Sequence, residues 1–144
     1  MPVVAAAHPT SLEFVIICHR VHFATRWLHP STAIVTAHGE VDAANAIDFT
    51  TYALRNVDRV SNLVIDLSGV EFFGCAGFSA LHTINVQCAA NGSRWAMVPS
   101  KAVSRLLRIC DPDSTLPVRP RVETALGAVT GEAPRLLQLV PQPR

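Results

Sequence analysis

Apolar positions in this chain follow two periods, that of a strand and that of a helix, and the two alternate along the sequence. Phe14–Val21 is rich in Val and Ile and predicts a first strand. Residues 23–30 read as a loop or a continuation of a hairpin, ending at Pro30. Thr32–His38 predicts a second strand with Ala33, Val35 and Ala37 on one face. After Gly39-Glu40-Val41-Asp42 comes a helical stretch. There Ile47, Leu54 and Val57 fall near one face, filled in by Ala43, Thr50 and Ala53, with Asp42 as the expected N-cap.

The run Leu63-Val64-Ile65-Asp66-Leu67 is apolar at every position but one. That is the pattern of a strand covered on both faces. A helix follows over Cys75–Ala90, with Phe78, Leu81, Ile84 and Cys88 at helical spacing, and Asn91-Gly92 stops it. Trp95–Val98 predicts a short strand. Lys101–Cys110 predicts a helix with Val103, Leu106, Leu107 and Cys110 inward. Asp111-Pro112-Asp113 is a turn. Leu116–Val118, flanked by prolines, fits only an edge strand, because proline donates no ladder hydrogen bond. Val122–Val129 is a last helix. The expected order is β, β, α, β, α, β, α, β, α. Such alternation implies an α/β domain with a mixed, mostly parallel sheet of about four to five strands and helices packed against it.

Residues 13–131 form the expected domain. Residues 1–12 read as an arm of small residues and 132–144 as a loose, proline-punctuated tail, with an apolar patch at Leu136–Val140. At 144 residues this is one domain, large enough to bury a core unaided. The four cysteines, Cys18, Cys75, Cys88 and Cys110, form no C-x-x-C pair, so reduced, buried thiols and no structural disulfide are expected. Net charge is +1 and Lys101 is the one lysine, so no basic patch points to nucleic acid. Met1–Thr10 lacks the build of a signal peptide, and Phe14–Cys18 is too short to span a bilayer. A cytoplasmic location is the expectation.

The polar residues decide the chemistry by what they do not form. His19 and His22 point to opposite faces of a strand, and His8, His29, His38 and His82 are scattered, so no metal site is expected. A hydrolase elbow centred on Cys75 would need glycine at position 73, which is Phe73. There is no P-loop and no dinucleotide fingerprint, and no cofactor is expected. Asp66 inside its apolar run needs donors, and the expectation is that it caps the following turn or lines a binding edge.

Three segments carry a family likeness over about Phe14–Thr130. Gly39-Glu40-Val41-Asp42 resembles the Gly-Glu-Leu-Asp signature of STAS domains. Leu63–Phe73 resembles that family's central strand and the turn after it. Gly74-Cys75-Ala76-Gly77-Phe78 aligns with its Asp-Ser-Ser/Thr-Gly-Leu segment, and Val98-Pro99-Ser100 with the strand that feeds the next helix. The chain thus resembles the anti-sigma factor antagonists, in a SpoIIAA-like sandwich with helices over one face of the sheet. The resemblance implies a non-enzymatic regulatory module that binds an anti-sigma factor or kinase-like protein and is released when a Ser or Thr at a helix N-terminus is phosphorylated. A weak homodimer is left open.

By the same resemblance the phosphoacceptor position falls on Ala76, which has no hydroxyl. Cys75 and Gly74 replace the family's Ser and Asp, and only Gly77 is kept, an expected backbone requirement. The implied partner surface takes in Glu40, Asp42, Ser68, Gly74, Cys75, Ala76, Gly77 and Ser79. Three readings remain open. The domain binds constitutively or has lost antagonist activity. Alternatively, a switch has moved to Ser79 or Ser68, although both also suit ordinary capping or turn roles. Or Cys75, at a helix start, is a redox sensor rather than a small buried residue. The competing function is a ligand-sensing or scaffolding STAS domain whose turn holds a small molecule such as a nucleotide.

Overall fold

The structure, a computed structural model, describes residues 12–18 and 20–131. The expected arm, tail and Leu136–Val140 patch otherwise lie outside the described residues. Five strands form one sheet in sequence order: β1 (Leu12–Cys18), β2 (Val21–His29), β3 (Thr32–Val41), β4 (Asn62–Phe73) and β5 (Arg94–Val98). β1, β2 and β3 are antiparallel neighbours, whereas β4 and β5 run parallel to β3. The helices are α1 (Ala46–Leu54), α2 (Cys75–Ala90), α3 (Lys101–Cys110) and α4 (Val122–Thr130).

Side-chain alternation sorts the strands into two cores. Ala33, Val35 and Ala37 of β3 join Leu63, Ile65 and Leu67 of β4 and Trp95 and Met97 of β5 on one face. Phe49 and Tyr52 of α1, Leu81 and Ile84 of α2 and Val103 of α3 close over that face. Ile34, Val64, Ala96 and Val98 point the other way and meet Ala125 and Val129 of α4. The centre of the sheet is therefore covered on both sides, as the continuous apolar run of β4 requires. Helices over one face only, which the resemblance implied, is corrected by α4.

Of the two readings of residues 23–30, the continuation of the hairpin holds, since β2 runs through to His29 and buries Val21, Phe23 and Thr25 in alternation. Three further expectations are corrected. Leu116–Val118 forms a single bridge, Met97 to Val118, instead of a strand. Pro117 and Pro120 lack the N–H groups that would extend it. In α1 the inward face is Ala46, Phe49, Tyr52 and Ala53, while Ile47 is 77% exposed. The aromatic rings take the core, where Phe23 stacks on both Phe49 and Tyr52. Tyr52 and Thr25 satisfy each other's hydroxyls at 2.8 Å. Finally, β4 does not end in a turn at Leu67. It continues to Phe73 because β3 pairs with it as far as Val41.

Asp111 closes α3 and sets the segment after it. Its amide donates to the carbonyl of Leu107, and its carboxylate accepts from Thr115 N, Thr115 Oγ1 and Leu116 N at 2.9, 2.7 and 3.1 Å. Burial opposes ionisation, but these hydrogen bonds outweigh it and hold the carboxyl below its ordinary value. A depressed carboxylate stabilises the fold fully above its unfolded value, about 3.9, and the contribution is lost as pH falls through the folded one. Urea titrations of the parent protein and of Asp111→Asn should therefore differ at pH 7, and the gap should narrow as pH falls below about 4. A gap independent of pH would contradict the assignment.

Candidate partner surface

The C-terminal ends of β3 and β4 and the start of α2 meet at one end of the sheet. Gly39 makes the first bend there. Its φ is +114°, and a Cβ would lie 2.3 Å from the carbonyl oxygen of Arg20. That same oxygen accepts from the amide of Glu40 at 2.9 Å. The chain thus presses the end of β3 against the turn before β2. The guanidinium of Arg20 then pairs with both acids, reaching Glu40 Oε1 at 3.3 Å and also Asp42 Oδ2.

Asp42 is not the N-cap of α1, because the helix begins only at Ala46 with Asn45 in the cap position. Asp42 instead builds the turn before it. Its Oδ1 accepts from Ala44 N at 2.9 Å, and its carbonyl accepts from the amides of Asn45 and Ala46. Asn45 is fully buried and ties the loop together. Its Oδ1 accepts from Asp42 N and its Nδ2 donates to the Glu40 carbonyl.

The loop is pinned to α2 by one bond, Gly74 N to the Val41 carbonyl at 2.9 Å. Gly74 occupies the N-cap with no side chain to satisfy the free amides. Cys75 is exposed, Ala76 half-buried and Gly77 buried. Glycine at 77 is required by packing: a Cβ there would lie 2.6 Å from the ring of Phe73. Its φ is not in the left-handed region, so the expected backbone reason is corrected. Ser79 is exposed on the first turns of α2.

Ser68 does not join this group. It lies within β4, roughly 20 Å of strand before Gly74 at about 3.3 Å per residue. Both its amide and its hydroxyl donate to Asp66 Oδ1, at 3.0 and 2.7 Å. Asp66 therefore satisfies its carboxylate within the strand, as a local cap.

Sequence patterns missed four residues here. Arg20 had no signal except two nearby acids in need of a counter-charge. Asn45 was hidden in a stretch read as helix. Phe72, 50% exposed, follows from its alternation with the buried Phe73. Cys110, the last residue of α3, has its thiol pushed up by burial and then by Cys75. The expectation of uniformly buried thiols is thus corrected: Cys75 is exposed, Cys110 is half-buried and Cys88 is buried, with its thiol raised to about 11 by burial.

Ile47, Phe72 and Ile109 are exposed large apolar residues on elements that border the site. A separate open groove of about 490 Å³ lies beside α3, lined by Ser104, Arg108, Ser114 and Arg119 among others. Among the described residues no cluster of His, Cys, Asp and Glu fits a metal ion, and no helix is long and apolar enough to cross a membrane.

Residues 28–125 match the model of the STAS domain. The chain is 35% identical over 104 residues to the anti-sigma-F factor antagonist RsfA of Mycobacterium tuberculosis, covering 69% of this chain and 81% of that protein. It is also 35% identical over 118 residues to osmosensory protein A of the same organism, covering 79% and 75%. Among solved structures, an anti-sigma factor antagonist from Mycobacterium paratuberculosis superposes with a TM-score of 0.68 at 28% identity, over 76% of this chain and 94% of that one. Unphosphorylated SpoIIAA superposes with a TM-score of 0.64 over 77% of this chain and 98% of that one, and at 15% identity it speaks for the fold alone. With its β3–loop–α2 site, its two-sided sheet and these relatives, the chain belongs to the STAS domain family, alongside proteins named as anti-sigma factor antagonists.

Proposed function

We propose that this chain is a non-enzymatic, cytoplasmic regulatory module that binds an anti-sigma factor or related kinase-like protein, and that it does so without a phosphoacceptor at the start of α2. The observation that carries the reading is the joining of Glu40, Asp42, Gly74, Cys75 and Ala76 at one accessible end of the sheet, through the bond from Gly74 N to the Val41 carbonyl. Exposed Phe72 adds the apolar contact that protein interfaces favour. Ala76 stands, by resemblance, where the family carries its hydroxyl. Ser79 lies on the same helix and is the remaining hydroxyl of this surface, whereas Ser68 is engaged with Asp66.

The test is a binding titration with each purified kinase-like anti-sigma protein of the same genome. Reversing charge at Asp42 (Asp42→Lys) should weaken binding by about tenfold or more, whereas the same change at Asp58 on the loop after α1 should not. Equal effects at both sites would contradict the placement of the surface.

The groove beside α3 favours a second reading, a site for a small anionic molecule such as a nucleotide facing Arg108 and Arg119. A thermal shift with nucleotides that disappears in Arg108→Ala would support it. No shift at millimolar nucleotide would count against it.

A further inference from the structure

We propose that the groove beside α3 docks an extended acidic peptide segment of a protein partner, rather than a small anion. The proposal is independent of the surface built on Glu40, Asp42 and the start of α2.

Charge on α3 is one-sided. Val103 and Leu107 face the core, while Lys101, Arg105 and Arg108 recur at positions i, i+4 and i+7 on the exposed face. The helix dipole favours a cation in the last turn, where Arg108 sits, but it disfavours one in the first turn, where Lys101 sits. Helix stability therefore does not explain the stripe. Arg119 is also exposed and lines the same groove as Arg108. Among the described residues, none of these four cations lies in an ion pair, since the pairs there belong to Arg20. Asp111 lines the groove too, but its carboxylate is taken up by Thr115 and Leu116. The four cations call for an anionic partner.

Two further features select a peptide. The groove has an apolar floor, with Leu107 and Leu116 buried in it and Val118 half-buried. An apolar side chain gains from such a floor, whereas a bare phosphate does not. The segment across the groove also presents a strand edge. Pro117 O and Arg119 N are bonded to Met97 of β5, so the N–H and C=O of Val118 point away from the sheet. That N–H has no partner among the described residues. The carbonyl accepts from the exposed guanidinium of Arg119, its own neighbour, at 2.9 Å. An extended peptide offers what this edge lacks, a carbonyl for the N–H and an N–H for the carbonyl. Its alternate side chains then divide between the floor and the cationic rim. Carboxylates suit that rim because a guanidinium binds them through two parallel hydrogen bonds. Arg119 is freed for them once the peptide N–H replaces it on Val118.

The test titrates the isotope-labelled full chain with a short, end-blocked peptide of alternating glutamate and leucine, followed by NMR. Amide signals of Arg108, Ser114, Val118 and Arg119 should shift saturably, with a Kd below about 1 mM. Added salt should weaken the binding. Arg108→Glu combined with Arg119→Glu should weaken it about tenfold or more. Both side chains are exposed, so the melting temperature should hold, and the corresponding pair of lysine variants should recover part of the affinity. On the parent chain, a peptide methylated at its backbone nitrogens should bind several-fold more weakly, and so should an all-glutamate peptide.

No saturable shift at millimolar peptide would overturn the proposal, as would shifts centred on another face. Equal binding of the methylated peptide would remove the strand edge, and equal binding of the all-glutamate one the apolar floor; either result overturns the extended-peptide occupant. Tighter binding of ATP, inorganic phosphate or single-stranded DNA at the same residues would assign the groove to that anion instead. A chain that binds no kinase-like anti-sigma protein would overturn the partner reading and leave the outcome of this titration untouched.

Discussion

Gly39→Ala should lower the melting temperature of this domain by roughly 10 °C, the largest loss expected from any single methyl group added here. Two costs combine. Alanine at φ +114° is strained by about 1–3 kcal/mol. Its Cβ would also sit 2.3 Å from the Arg20 carbonyl and 3.2 Å from the Cα of Val21. Both are backbone atoms, so no side chain can swing aside. Val21 and Gly39 are paired across β2 and β3, and relief would have to pull the ladder apart. Gly92→Ala separates the two costs. Gly92 also has positive φ, at +71°, but nothing lies within 4 Å of its added Cβ. It should lose only about 1 kcal/mol. Thermal melts of the two variants check the claim, and equal losses would show that strain alone acts at Gly39. Because the Arg20 carbonyl also holds the Glu40 amide, Gly39→Ala should weaken partner binding as well.

Gly77→Ala should destabilise the fold by about 1–2 kcal/mol, against the usual gain for this change inside a helix. Gly77 is buried on α2, and an added Cβ would meet three ring carbons of Phe73 at 2.6–2.9 Å. Phe73 is 4% exposed and anchored in the main core, so the ring has little room to withdraw. Urea unfolding measures the loss. Adding Phe73→Leu to Gly77→Ala should recover part of it, since a smaller side chain admits the methyl. A Gly77→Ala protein more stable than its parent would contradict the packing account.

These two glycines show what was legible in the sequence and what was not. Gly39 stood in a recognisable motif at a predicted strand end, and its positive φ is what such a position calls for. Gly77 was read as a backbone requirement, but its reason lies in a ring four residues earlier, visible only once β4 and α2 are packed. The helices α2 and α3 were readable because apolar spacing and Asn91-Gly92 mark their periods and the end of α2. The cap of α3, where the Ser100 hydroxyl accepts from Val103 N at 3.1 Å, came only from the structure. α1 was misplaced because Ile47 fits a helical stripe on paper, while Phe49 and Tyr52 bury more apolar area. β2 was left between a loop and a hairpin continuation because His22, Arg26 and His29 make a half-exposed strand look polar.

The central claim is that this surface binds a kinase-like anti-sigma protein and has no hydroxyl at position 76 for that protein to phosphorylate. The direct measurement is the affinity of the reduced chain for each such protein of the same genome, with and without ATP and magnesium, with phosphate incorporation followed by mass spectrometry. The account predicts a complex with at least one of them that persists with ATP and gains no phosphate. Restoring the hydroxyl by Ala76→Ser should make that complex sensitive to ATP. No complex with any of these proteins, or a parent chain that is phosphorylated and released, would contradict it.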